Sequence, residues 1–404
     1  MNKSNLQKRI VICDQLPADF QAYIQALYSR SAVSIVEHIH KHFKDFTIEF
    51  LPESNGYELY RIRPSYANTR SKSPAANFLN KWAIQYNHSS ILDAGTALIC
   101  VEGCDIITAK ALQHHPLYAG TEVSTRYVAA LTAQDDLATE VFHNVVERAM
   151  HRWAGDLNRD QITKASIDAY AFDIAGGFLP TSTKTMLSLS VRLRTLQDII
   201  TTTEYIGTKH HYPALDVAKA LYELTCEMYP GIHWSQTIEE RGYAPAHFPI
   251  HNKATPVITA PPKAISEPHV TYNRRTHTFS AALDYRSLRD LMRHRTIQDV
   301  PFILPNPKAF PHPFYVETGQ REMEPLEVPK SAKNKPYILT RLGAMTDAFH
   351  GVVSPSNYRY IQELRCGRSV HPTLRAAFLK VKDASTIHVP SYKRGTETIV
   401  YTGD

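Results

Sequence analysis

The 404-residue sequence predicts an α/β (α+β) chain in which a mixed sheet packs with long helices, built from two diverged copies of one module. Three observations predict it. Stretches such as "FTIEFLP" and "YELYRIR" alternate with the period of two of half-buried strands. Long segments with the 3.6-residue apolar period of amphipathic helices follow them. A strand, a helix and a basic helix end then recur after residue 270.

In chain order, residues 17–44 read as helix, and the two alternating stretches read as a strand pair joined at "ESNG". Residues 75–87 read as helix. "TALICVEG" (96–103) reads as a buried strand, and "DIITAKALQHH" (105–115) as a helix that Asp105 can cap. Amphipathic helices are expected over 133–153 and 159–175, a helical region over 184–203, and a helix over 213–228 that stops at "YPG". The five prolines of "HFPIHNKATPVITAPPKAISEPH" (247–269) mark a linker. The expected organisation is a first module over 1–245, a proline-rich linker over 246–269 and a shorter second module over 270–404. In the second module, "HTFSAALDYRSLRDLMRHR" reads as strand then helix, and a proline-rich loop covers 301–330. "SPSNYRYIQELR" (354–365) reads as helix and runs into "VHPTLRAAFLKV", which echoes "HYPALDVAKALYEL" (211–224).

Bulk properties narrow the function. With 43% apolar and 21% charged residues the composition is that of a soluble globular protein. No apolar run reaches the length of a membrane span, and the first residues lack the apolar core of a signal peptide, so no membrane is expected and the cytoplasm is. The five cysteines (Cys13, Cys100, Cys104, Cys226, Cys366) form neither a CxxC pair nor a zinc spacing and read as reduced thiols. The net charge of +6 is spread along the chain, with no basic stripe interleaved with aromatics. Small anionic ligands are expected rather than nucleic acid. His38 and His42 share a helix face that could hold a metal, but a solvated face is the plainer reading and no metal site is expected.

Two stretches carry chemistry. In "TEVSTRYV" (121–128), Glu122, Ser124 and Arg126 alternate along an extended segment and would point one way. A guanidinium and a hydroxyl suit a phosphate, and a carboxylate suits a ring N–H. A surface strand of mixed charge has the same pattern. In "LMRHRTIQDVPF" (291–302), Arg293, His294 and Arg295 stand together. Such guanidinium groups can bind phosphate, stabilise charge on a ring carbonyl, or neutralise a reduced flavin. A basic helix end that complements its own dipole looks alike. Arg365 ends an apolar run with the same two readings, and "YNHSSILDAG" places His88, Ser90 and Asp93 in a turn before a strand.

Together and in this order, these stretches resemble the flavin-dependent thymidylate synthases, in particular a tandem, two-module subgroup. "RPSYANTRSKSP", with Ser65, looks like that family's early flavin-contacting segment. "NHSSILDA" looks like its histidine–serine–acid motif, and "HHPLYAGTEVSTRYV" like its triplet and the ExSxRY that follows. "FLPTSTKTMLSLSVRLRTLQD" looks like its leucine–proline segment, where Arg194 keeps a flavin-contacting arginine and Arg192 replaces an asparagine. The first half departs from the pattern. It reads His114-His115-Pro116 in place of arginine–histidine–arginine, Thr203 in place of the activating arginine, and Gly176 in place of another substrate arginine. The second half restores the triplet at Arg293-His294-Arg295 and the late arginine at Arg365, but has lost ExSxRY.

The resemblance implies one composite site from two specialised copies. Arg365 and Arg293 would be catalytic, and Glu122, Ser124 and Arg126 would bind substrate. Ser65, His88, Ser90, Asp93, Arg194, His294 and Arg295 would hold FAD. The implied reaction moves a one-carbon unit from methylenetetrahydrofolate to C5 of a uracil deoxynucleotide (dUMP to dTMP), with NADPH as reductant. A homodimer would act as a pseudo-tetramer of modules. Asp290 stands where the family has a glutamine near the nucleotide phosphate, and Ala111 is its counterpart in the first half. That change keeps open a related pyrimidine modification, such as hydroxymethylation of dUMP or dCMP. The degeneracy of each half keeps open a catalytically inactive flavin- or nucleotide-binding protein.

Overall fold

The computed structural model describes residues 7–13, 16, 21, 24–25, 27–28, 32–65, 93, 95–126, 128–157, 163–229, 232, 234–241, 257–258, 268–305, 310–323, 326, 339–346, 348–367 and 370–381. Strand β1 (Arg9–Cys13), helix α1 (Ile35–His42), and strands β2 (Phe46–Ser54) and β3 (Tyr57–Pro64) come first. β4 (Thr96–Asp105), α2 (Ile106–Leu112) and β5 (Tyr118–Glu122) follow, then the long helices α3 (Asp136–Arg152) and α4 (Lys164–Phe178). β6 (Lys184–Arg192), α5 (Leu193–Lys209) and α6 (Tyr212–Met228) complete the first half.

The six strands form one mixed sheet in the order β2-β3-β1-β4-β6-β5, in which only β1 and β3 run parallel. β4 lies inside it, between β1 and β6, which is why "TALICVEG" is apolar on both faces.

The second half holds β7 (His269–Asn273), β8 (Thr278–Ala282), α7 (Tyr285–Leu291), α8 (Pro313–Gly319), β9 (Phe349–Val352), α9 (Pro355–Arg365) and α10 (Pro372–Leu379). β7, β8 and β9 form a three-stranded antiparallel sheet with β8 central. Ile106, Phe142 and Phe178 from one half and Phe279, Leu288, Tyr315 and Phe378 from the other belong to a single apolar core.

The strand–helix unit does occur twice. Asp105 caps α2 by accepting from Thr108 N at 2.7 Å, and Asp284 caps α7 by accepting from Ser287 N at 3.0 Å. Each buried carboxylate is tied further. Asp105 lies 2.9 Å from Nε2 of His211, and Asp284 accepts from the Tyr315 hydroxyl at 2.9 Å, with His371 Nε2 3.4 Å beyond. His211 and His371 each precede a helix with proline in its first turn, α6 and α10. The echo between these two segments is therefore a shared buried contact region around the cap.

Several expectations need correction. Residues 184–192 are strand, not helix: β6 pairs with β4 and β5, and the alternation of "TMLSLSVR" is its signature. The helix expected over 17–44 is broken at 32–34, where Ser34 caps α1 through its side chain. The proline-rich stretch over 301–330 contains α8, and Phe302–Ile303 pairs with Val257–Ile258 from the expected linker. The helix expected over 75–87 lies outside the described residues. Among the described residues no helix is long and apolar enough to cross a membrane, and no group of three metal-ligating side chains is present.

Candidate functional site

Helices α2 and α7 bring equivalent positions of the two units to one carboxylate. Lys110 and Arg289 each stand five residues past their capping aspartate. Lys110 Nζ lies 2.7 Å from Glu122 Oε2, and Arg289 Nη2 donates to Glu122 Oε1 at 2.5 Å. Glu122 sits at the end of β5, with its side chain 2% exposed. Burial would raise its carboxyl, but Arg289 and Lys110 hold it down at about 2. Burial pulls the Lys110 ammonium down to about 8, against the opposing effect of Glu122.

A second cluster gathers around the end of α7. Arg365, the last residue of α9, donates from Nε to His294 Nε2 at 2.7 Å and from Nη2 to the Asp290 carbonyl at 2.6 Å. His294 is an acceptor here and therefore neutral, and burial followed by Arg365 pushes its imidazole down to about 3. The Arg293 guanidinium is more than half exposed and lies 3.5 Å from Asp290 Oδ1. Burial would raise the Asp290 carboxyl, yet Arg293, then Arg126 and Arg365, hold it far below the usual carboxylate range. Arg126 from the first half and Arg365 from the second thus face the same carboxylate. Arg295 lies over the Tyr118 ring, 5.3 Å from its centroid.

The expected convergence of Glu122, Ser124 and Arg126 is not the one that alternation gives. β5 ends at Glu122, so the extended period does not run through 124 and 126. Ser124 Oγ accepts from the Arg126 backbone N–H at 3.2 Å. The Arg126 guanidinium turns to Asp173 on α4, donating to both carboxylate oxygens at 2.5 and 2.6 Å. Next to it, Gly176 makes room for an arginine of the other half. A Cβ there would sit 1.9 Å from Arg286 Nη1, which donates to the carbonyls of Phe172 and Asp173 at 3.1 and 2.7 Å. Thr203 is fully buried in α5.

The other expected flavin contacts are placed elsewhere. Arg194 Nη1 and Asp93 Oδ2 lie 3.5 Å apart, beyond the register pair Thr96 and Arg192. Ser65 follows β3 and is tied by its backbone N–H to Asp45 O at 2.8 Å. His88 and Ser90 lie outside the described residues. Lys110, Arg289, Asp173 and Arg286 escaped the sequence reading. Lys110 and Arg289 could have been found by extending the repeat from Ala111 and Asp290 back by one residue. Asp173 carries no local signal, being a lone carboxylate in the apolar last turns of α4.

Openings border these clusters. One cleft of about 200 Å³ is lined by Lys110, Tyr118, Glu122, Arg293 and Arg295. A wider one of about 590 Å³ separates residues 113–117 from 292–300, with Leu117, Met292, Ile297 and Val300 as apolar wall and His294, Arg295 and Asp299 as polar edge. A long apolar wall with a guanidinium at its edge suits a large, flat ring system, and the residues present fit a flavin there.

Residues 52–230 match the family model described as thymidylate synthase complementing protein. No curated protein matches the chain. Among solved structures, the chain is similar to thymidylate synthase X from Helicobacter pylori with FAD and dUMP, at 16% identity over 54% of this chain and 92% of that one, with a TM-score of 0.27. It is also similar to the UMP/dUMP methylase PolB from Streptomyces cacaoi bound with 5-Br UMP, at 16% identity over 50% and 97%, with a TM-score of 0.26.

Proposed function

Over residues 52–230 the chain belongs to the thymidylate synthase complementing protein family, and on that premise we propose that it is a flavin-dependent transferase that adds a one-carbon unit to C5 of a uracil deoxynucleotide, dUMP to dTMP. The observation that carries this reading is the setting of Arg365. Its contacts among the described residues are the neutral His294 ring and the Asp290 carbonyl, so its charge is oriented but not cancelled by a carboxylate contact. A guanidinium so held can stabilise negative charge developing on a ring carbonyl as C5 becomes nucleophilic. No cysteine nucleophile is needed for that activation.

Bound in the wider cleft, FAD would supply the redox chemistry of the transfer; methylenetetrahydrofolate and NADPH are the co-substrates this reading entails. Arg295, exposed at the cleft edge, and His294 would border the flavin. Arg293 would close over the pyrimidine from the solvent side. Glu122, Ser124 and Arg126 would form the substrate wall supplied by the first half. In that wall Glu122 acts through the two cations it holds, and Arg126 through the carboxylate that fixes it. Ser65, Asp93 and Arg194, with His88 and Ser90, would hold the rest of the cofactor. A homodimer of such chains would present four modules, which sedimentation at equilibrium would register as twice the chain mass.

The first experiment is the visible spectrum of the protein with added FAD, before and after dUMP, followed by the mass of the product. Flavin bands that shift on dUMP addition, with a product one methyl group heavier, are expected. A product heavier by a hydroxymethyl group would redirect the reading to that modification. Folded protein that binds no FAD would overturn it.

A further inference from the structure

We propose that the turn at 114–117 is the apolar platform of the flavin site: Leu117 packs against the flat ring system in the wider cleft, and His115 is the positioning residue that presents it. The inference rests on the reading above, that this cleft takes a flavin.

The two repeated units reach the cleft with different chemistry. His115 and His294 stand at equivalent positions, each ten residues past its capping aspartate. His294 is flanked by Arg293 and Arg295 and accepts from Arg365. His115 is flanked by His114 and Pro116 and turns inward, with its side chain 6% exposed. Its Nδ1 accepts from the Leu117 backbone N–H at 3.0 Å, so Nε2 carries the ring proton, 3.2 Å from Asp198 Oδ2 on α5. This latch ties the backbone of Leu117 to a helix of the first half and leaves the leucine itself 68% exposed at the cleft.

The facing wall is also fixed. Gln298 and Val352 exchange backbone hydrogen bonds at 2.7 and 2.8 Å, and the Ile297 N–H donates to the His294 carbonyl at 3.0 Å. Ile297 and Val300 are buried in the core and Met292 is half-buried. Leu117 therefore holds the largest share of the apolar surface that a ligand in the cleft could still cover. Charge alone does not supply the affinity, because Arg295 and Asp299 stand on the same rim with opposite signs. Ring contact does. A flat aromatic system in a cleft of about 590 Å³ would meet Leu117 on one side and Met292 on the other, and covering an exposed leucine contributes roughly tenfold or more in affinity.

The test is fluorescence titration of the full chain with FAD. Leu117 is exposed, so its replacement is expected to leave the thermal midpoint unchanged. Leu117→Asp is expected to weaken FAD binding by about thirtyfold or more, and Leu117→Met by less than about threefold. His115→Ala, which frees the turn, is expected to weaken it about tenfold, whereas His115→Asn offers an acceptor to the same N–H two residues on and is expected to stay within about threefold of the wild type. Wild-type FAD affinity in folded Leu117→Asp overturns the inference. It does so equally if that variant sediments at half the wild-type mass, the sign that a second copy of the chain covers the leucine instead. Equal affinities in His115→Ala and the wild type remove the positioning role, and should the His115 variants not fold, Leu117 decides by itself. A folded wild type that binds no FAD removes the functional reading and this inference together, whereas a wild type that binds FAD without help from Leu117 removes this inference alone.

Discussion

Arg365 and His294 form a pair in which the arginine donates and the imidazole must stay unprotonated. The pair predicts its own perturbation. Replacing Arg365 by alanine removes the guanidinium that helps depress His294, so the imidazole pKa, read by NMR, should climb from about 3 toward the ordinary value. Turnover should fall roughly a hundred- to a thousand-fold, the cost of deleting one oriented donor at a developing charge, with little change in thermal midpoint. Wild-type-like turnover in that variant would remove Arg365 from the chemistry. The individual residues of this site were partly legible in the sequence. Arg293, His294, Arg295 and Arg365 stood out because cationic side chains followed apolar runs. Asp173 did not, because a carboxylate facing an arginine 47 positions away leaves no local pattern.

The elements repeat a single device, a carboxylate at or just past the end of a strand that caps the next helix and is gripped by groups from later segments. Asp284→Ala should therefore cost more than a cap. Losing the cap accounts for about 1 kcal/mol and stranding the buried Tyr315 hydroxyl for about 1–3 more, so about 2–4 kcal/mol in all. The urea midpoint should fall with an unchanged slope, and Asp105→Ala should behave alike through His211. The sequence announced the first of these caps, Asp105, since an aspartate before a helical period is a local signal; the same signal at Asp284 went unread. It announced β6 less well. "TMLSLSVR" alternates, but it runs straight into the helical period of α5, and a window spanning both averages the two periods into one helix. The broken helix at 32–34 has a similar cause: Ser34 sits inside a stretch that reads as one helical period, and its side chain caps α1 there instead of continuing the helix.

At the scale of the molecule, the stretches expected as separate modules share one apolar core and one buried ion cluster. Glu122→Gln would leave Lys110 and Arg289 buried without their carboxylate. The expected loss is about 3–5 kcal/mol in urea unfolding, and Arg289→Met in the same chain should recover part of it. Acid should loosen the whole fold as well. Burial depresses His114 to about 4, His294, with Arg365 adding to the effect, to about 3, and His371 to about 4. A depressed base means that the unfolded chain binds more protons once pH drops below the ordinary imidazole value of about 6.5, so stability falls from there down to about 4. Glu122 adds to the fall at lower pH. Its pKa is depressed to about 2, so the stability it contributes is present above the ordinary glutamate value and is lost as pH drops through about 2. A urea midpoint that holds steady between pH 7 and pH 4 would contradict this account.

Glu122 takes one cation from each half of the chain. Two stretches that meet at such a point have lost their independence as units of inheritance. A charge altered in one half is at once a defect in the other, so positions 110, 122 and 289 are expected to change together or not at all among descendants. A gene cut at the expected linker would yield two products, each lacking a counter-charge that only its former sibling carries.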